Sequence, residues 1–125
     1  MTESDAAYFY DTYALIEIIK ANPAYRKYVD EGIALNKFVL TELTFSIMRD
    51  YSVDYARKCL DAYWPFIVEV SKDVMIKAMS MRIKERKRNL SMTDCVSYVM
   101  AKILGIKFLT GDEQFRNMEN VEFVK

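Results

Sequence analysis

The chain has 125 residues, a length that suits one domain, and its apolar fraction of 52% supports a packed core rather than disorder. Lysine plus arginine and aspartate plus glutamate number 18 each, so net charge exerts no global pull toward nucleic acid or membrane. Histidine is absent, which excludes imidazole acid–base chemistry, Ser-His-Asp and Cys-His catalysis, and zinc sites built with imidazole.

Met1 to Asp5 are polar and are expected to fray. Ala6 to Tyr10 predicts a short buried strand with three aromatics, ending at Asp11. Thr12 to Lys20 predicts a helix with Leu15, Ile18 and Ile19 inward. Asn22-Pro23 breaks it, because proline disfavours helical backbone in the residue before it. Pro23 suits the first turn of another helix to about Glu31, which Gly32 ends. Lys37 to Leu40 predicts a brief extended run, with Thr41 capping the next helix and Glu42 in its first turn. Val53 to Tyr63 predicts a helix with Ala56, Cys59, Leu60 and Tyr63 on one side, stopped by Pro65.

Phe66 to Val70 is β-branched and aromatic and predicts a strand. Ser71 starts a long helix to about Lys87, with Val74, Met75, Ala78 and Met81 as its apolar stripe. Ser91 or Thr93 caps a helix to Leu104 that turns Val96, Val99, Met100 and Ile103 to the core. Gly105 follows as the residue that takes a left-handed backbone without strain. Ile106 to Thr110 and Val121 to Val124 complete the strands. Strands alternating with helices predict one α/β domain over residues 1–125, a parallel sheet with helices on both faces.

Cys59 and Cys95 lack metal-ligand spacing and fit a reducing, cytoplasmic setting. No apolar run approaches membrane length and no signal peptide opens the chain. The chemistry-bearing residues are four acids at element boundaries. Asp11 ends the first strand, Glu42 opens a helix, Asp94 opens another, and Asp112 follows a strand. Each also has an ordinary role, in capping a helix or making a turn. Together they would repel one another, and a hard divalent cation removes that repulsion. Mg²⁺ and Mn²⁺ prefer oxygen ligands, lower the pKa of bound water and stabilise charge on a phosphoryl oxygen. A histidine-free carboxylate cluster therefore points to metal-assisted phosphoryl chemistry rather than acyl transfer.

These residues carry a family resemblance. Asp11-Thr12-Tyr13-Ala14-Leu15 after an apolar strand resembles the opening motif of PIN domains. Thr41-Glu42-Leu43 resembles their second acidic motif, and Ser91-Met92-Thr93-Asp94 with Ala101 and Gly105 the third. Leu109-Thr110-Gly111-Asp112 with Phe115 resembles the fourth. No motif is specific alone; all four occur in order on the expected elements, over nearly the whole chain. The length is similar to that of a stand-alone PIN protein of the VapC toxin type.

The resemblance implies a three-layer fold with a five-stranded, mainly parallel sheet between helices. It implies a Mg²⁺- or Mn²⁺-dependent endoribonuclease that cleaves phosphodiester bonds with a metal-activated water. Asp11, Glu42, Asp94 and Asp112 would be its catalytic metal ligands, and Thr12 and Thr110 would orient the carboxylates or the attacking water. It further implies a toxin–antitoxin pair and a homodimer. The approach to the third acid, Met92-Thr93, and the short region after Phe115 depart from the family pattern.

Arg82 to Arg88 holds five basic residues in seven. Such a run is either a solvated helix C-terminus or a phosphate-binding patch, with Lys84, Arg86 and Arg88 as candidate RNA contacts. Nine tyrosines and one tryptophan suit core and interface positions, and a few could stack on unpaired bases. A partner helix is expected to dock between Ala24 and Trp64. A haloacid-dehalogenase-type phosphatase would need an aspartate two residues after Asp11, where Tyr13 stands. A rival from another class is a PIN-like RNA- or protein-binding regulatory module with weak or no nuclease activity.

Overall fold

The structure, a computed structural model, describes residues 6–30 and 32–125. The expectations for Met1 to Asp5 and for Glu31 lie outside them. Four strands form one sheet: β1 (Tyr8–Tyr10), β2 (Ile33–Ala34), β3 (Lys107–Thr110) and β4 (Val121–Phe123). Their order is β2-β1-β3-β4 and every pairing is parallel. The helices are α1 (Thr12–Ile19), α2 (Lys37–Asp50), α3 (Val53–Tyr63), α4 (Lys72–Lys84) and α5 (Met92–Leu104). This is the expected α/β PIN-like fold, with four strands among the described residues in place of five.

Alternation along the strands sorts the core into two layers, because successive side chains leave a strand on opposite faces. Phe9 and Phe108 pack on one side with Val74, Ala78, Cys95, Val96, Val99 and Met100 of α4 and α5. Tyr10 and Leu109 pack on the other with Leu15, Val39, Leu40, Leu43 and Ile47 of α1 and α2, and with Ala56 of α3. Strands buried on both faces need little polar alternation, and Phe9, Tyr10, Phe108 and Leu109 are all fully buried.

Several local expectations are corrected. Lys37 to Leu40 is the first turn of α2, not an extended run, and Asn36 caps it by accepting from Val39 N–H at 2.9 Å. The governing spacing is Val39, Leu40, Leu43 and Ile47, which winds one buried stripe around a helix. Thr41 thus lies inside the helix, its hydroxyl donating to Lys37 carbonyl at 2.7 Å, and Glu42 falls in the second turn. Phe66 to Val70 is not a strand: a 3-10 turn over Trp64–Phe66 consumes its start. Ile67 then makes only an isolated parallel bridge to Leu35, because the segment that holds Leu35 turns into the α2 cap at the next residue.

The run from Pro23 is a 3-10 turn over Pro23–Tyr28 rather than an α-helix. Helix α4 ends at Lys84, followed by a 3-10 turn over Arg86–Arg88. Met75 and Ile103 are exposed, whereas Met81 packs against the core as expected and Leu104 packs there in place of Ile103. Among the described residues no helix is long and apolar enough to cross a membrane.

Asn36 also ties two layers together. Its side chain is fully buried, and its amide donates to Ser97 Oγ at 3.1 Å and to Met100 Sδ at 3.4 Å on α5. Asn36→Ala removes a cap and leaves Ser97 without this partner. It should cost about 2–3 kcal/mol in urea unfolding; a loss below about 0.5 kcal/mol would contradict this account of α2.

Candidate functional site: three aspartates at the sheet switch point

After β1 the chain runs to one side of the sheet, and β3 and β4 build the other. The switch lies between β1 and β3, where an open α/β sheet leaves a crevice at its carboxyl edge. Tyr10 pairs with Leu109, and Asp11 N–H donates to Leu109 carbonyl at 3.0 Å. Asp11 and Thr110 therefore leave adjacent strands side by side. Thr110 Oγ1 donates to Asp11 Oδ2 at 2.7 Å and accepts from Asp112 N–H at 3.0 Å. One buried hydroxyl thus links the first acid to the last.

The other ends are set by caps. Asp11 is the N-cap of α1, its Oδ1 accepting from Thr12 N–H at 2.8 Å. Asp94 shares a reciprocal capping box with Ser91: Asp94 N–H donates to Ser91 Oγ at 3.0 Å, and Ser91 N–H donates to Asp94 Oδ2 at 2.9 Å. Asp112 accepts from Gln114 N–H at 3.0 Å. Capping and convergence coexist, since each carboxylate has a second oxygen or lone pair to spare. Ser91 is the cap, not Thr93.

Asp11, Asp94 and Asp112 each present a carboxylate oxygen, all within 4.8 Å of one another. Glu42 is not within that group. It is exposed and accepts from Thr12 Oγ1 at 2.7 Å, at the rim of the cluster. Arg88 Nη1 donates to Gln114 carbonyl at 3.3 Å, which seats it beside the turn that carries Asp112. Lys84 and Arg86 line two different grooves along α4 and its following turn.

Gly111 was not singled out from the sequence, yet the site depends on it. A Cβ there would collide with Val124 carbonyl oxygen and with the Tyr13 ring. Glycine allows the end of β3, the start of α1 and the end of β4 to close together. The Thr-Gly-Asp run was visible, but the collision needs the fold.

Burial dominates the electrostatics. Asp11 is 3% exposed, and desolvation, reinforced by Asp94 and Asp112, pushes its carboxyl up to about 7 despite the Thr110 hydrogen bond. Burial also raises Asp94, with Asp112 and Glu42 adding to it against the Ser91 hydrogen bonds. The donor set is oxygen only, which suits a hard divalent cation. Opposite ligands in an octahedral Mg²⁺ shell lie about 4.2 Å apart. The three aspartates could hold such an ion with small side-chain movements.

The PIN domain family model matches residues 8–121. The chain belongs to the PIN domain family. Members of this family are nucleases. Solved structures similar to this PIN domain include a VapC toxin and toxin–antitoxin complexes. The Mycobacterium tuberculosis VapC20 toxin, described as cleaving the sarcin–ricin loop, has TM-score 0.79 and 17% identity over 95% of this chain and 100% of that one. A toxin–antitoxin complex from Klebsiella pneumoniae has TM-score 0.73 and 15% identity over 92% and 95%. VapBC2 from Rickettsia felis, bound to a promoter DNA fragment, has TM-score 0.71 and 18% identity over 95% and 99%. At these identities the likeness is one of fold. No curated protein matches the sequence.

Burial of Asp11 makes a pH prediction. A carboxyl ordinarily near 3.8 and held at about 7 binds its proton more tightly in the folded chain than in the unfolded one. Stability without divalent ions is then full below the ordinary value and is lost as pH rises to about 7, by about 4 kcal/mol in all. Urea unfolding in EDTA from pH 4.5 to 8 should show that decline, and Asp11→Asn should flatten it. A wild-type protein that gains stability over this range would contradict it.

Proposed function

We propose that this PIN domain is a Mg²⁺- or Mn²⁺-dependent endoribonuclease of the VapC toxin type, acting as a single domain. The observation that carries the reading is the convergence of Asp11, Asp94 and Asp112 around a buried carboxylate in a chain without histidine. A bound cation would offset the burial and the repulsion that raise Asp11, and when bound would supply an activated water and stabilisation of charge on the phosphoryl oxygen. Asp11, Asp94 and Asp112 would hold it, and Glu42 would complete the quartet from the rim. Thr110 fixes the Asp11 carboxylate through its short hydrogen bond, and Thr12 fixes Glu42. Arg88, beside the Asp112 turn, holds a phosphate of the RNA strand; Lys84 and Arg86 add a more distant positive field.

The family's solved relatives include toxin–antitoxin complexes, which supports an antitoxin as partner here. The surface of α2 and α3 suits it: Phe45, Met48, Tyr51 and Tyr55 are exposed, and the last two rings meet edge-on at 5.5 Å. Assembly of two copies, in the cytoplasm, belongs to the same reading.

Cleavage of mixed single-stranded RNA with Mn²⁺, Mg²⁺ or EDTA tests the proposal. Wild type should cut only with a divalent ion, and Asp94→Asn should lose at least about 100-fold while unfolding normally. No cutting under any metal, or equal cutting by the mutant, would turn the account to an RNA- or protein-binding module.

Neutralising Lys84, Arg86 and Arg88 should raise KM more than it lowers kcat and flatten the salt dependence of RNA binding, with Arg88→Ala giving most of the effect. An unchanged salt slope in the triple mutant would remove the phosphate contact. Alanine at Tyr51 and Tyr55 should weaken antitoxin binding about 10-fold or more and leave cleavage intact. A complex that survives both substitutions moves the docking surface elsewhere.

A further inference from the structure

A segment that carries none of the four acids braces the cluster from behind. After α1, Asn22 and Pro23 open the 3-10 turn over Pro23–Tyr28. Asn22 Oδ1 accepts from Ala24 N–H at 3.0 Å, and its amide donates to Glu17 Oε1 of α1 at 2.8 Å. Proline at the start fixes the backbone there. The turn is thereby set beside α1, and it carries Tyr25 and Tyr28 inward, at 0% and 3% exposure.

Both hydroxyls reach the β4 segment. Tyr28 Oη donates to Glu122 Oε2 at 2.6 Å, and Tyr25 Oη donates to the Val124 carbonyl at 2.5 Å. The two bonds differ in what they grip. Glu122 is held by the tip of its side chain, Val124 by its backbone. Val124 is also bound through its N–H, which donates to the Thr110 carbonyl at 2.9 Å. Its carbonyl oxygen and the Tyr13 ring stand on the two sides of Gly111 that a Cβ would strike. Gly111 is thus clasped between α1 and the end of β4. It joins Thr110, whose hydroxyl donates to Asp11, to Asp112.

A buried tyrosine needs an acceptor, and ordinary packing would be satisfied by any carbonyl. The place of this acceptor gives the bond a second consequence. It holds the one carbonyl that presses on the glycine between two residues of the cluster's frame. Burial, with the nearby Tyr13, Glu17 and Asp11 adding to it, keeps the Tyr25 hydroxyl protonated well above the usual tyrosine range, so it stays a donor. The other tie in this region, Lys125 Nζ to Glu113 Oε1 at 3.1 Å, joins two exposed side chains and contributes little.

We propose that Tyr25 is a positioning residue for the cation site: its hydroxyl holds the Val124 carbonyl against Gly111 and so fixes the backbone from Thr110 to Asp112, and with it the Asp112 carboxylate. The inference rests on the proposed cation site and adds a residue outside the acidic quartet.

Mn²⁺ binding to the full chain, followed by the electron paramagnetic resonance of free and bound ion, tests it in wild type, Tyr25→Phe and Tyr28→Phe. Each substitution keeps the ring and its packing, and folding is checked by circular dichroism and urea unfolding. Tyr28→Phe is the control. It removes a hydroxyl from the same turn to the same strand segment, and because its acceptor is a carboxylate it should lower the urea midpoint at least as far. Tyr25→Phe should weaken Mn²⁺ about 5-fold or more and broaden the bound-ion signal, as a less fixed ligand gives a wider spread of geometries. Tyr28→Phe should stay within about 2-fold of wild type. Wild-type affinity in Tyr25→Phe would overturn the role of Tyr25 and leave the cation site standing. Equal weakening in both variants would also overturn it, since general loosening would then be the cause. A wild type that binds no Mn²⁺ would overturn the cation site and this role together.

Discussion

The hydrogen bond from Thr110 to Asp11 joins two central strands at the place where the sheet changes direction. It exists because β1 and β3 pair in parallel with Tyr10 opposite Leu109, so the residues that follow must emerge together. The same Thr110 hydroxyl receives the Asp112 amide, so the register of two strands determines the spacing of two acids. Asp94 reaches them from another direction, at the start of a helix whose capping box orients its carboxylate. Backbone pairing, helix capping and the close packing at Gly111 therefore act on one cluster.

That cluster is costly for the folded chain. Burial and mutual repulsion hold the Asp11 carboxyl at about 7, far from its ordinary state. Proteins tolerate such an expense where a site is built for a ligand. Here the compensating partner of matching chemistry is a hard divalent cation, and the family to which the chain belongs is one of nucleases. Thr12 and Thr110 are economical fixtures: each hydroxyl holds one carboxylate without adding a charge.

Much of this was legible in the residues. Asp11 and Asp112 sit directly after strands, and Ser91 with Asp94 is a capping pattern at a spacing of three. What was missed came from competition between local signals. Phe38-Val39-Leu40 looks extended until Leu43 and Ile47 are counted with it, and then the period is helical. Phe66 to Val70 has the composition of a strand, but its potential partner leaves for α2 at Asn36. Glu42 was expected beside the other acids in a first turn; one further helical turn leaves it at the rim, tied to Thr12. Gly111 was silent because its constraint is the collision that a Cβ there would make with Tyr13 and Val124, which are far apart in sequence.

The most direct measurement is Mn²⁺ binding without RNA, followed by the electron paramagnetic resonance signal of the free ion. The account predicts saturable binding to wild type, weakened at least about 10-fold by Asp112→Asn and by Asp11→Asn, in proteins that still unfold cooperatively. Equal Mn²⁺ affinity in all three would contradict the claim that these carboxylates form a cation site.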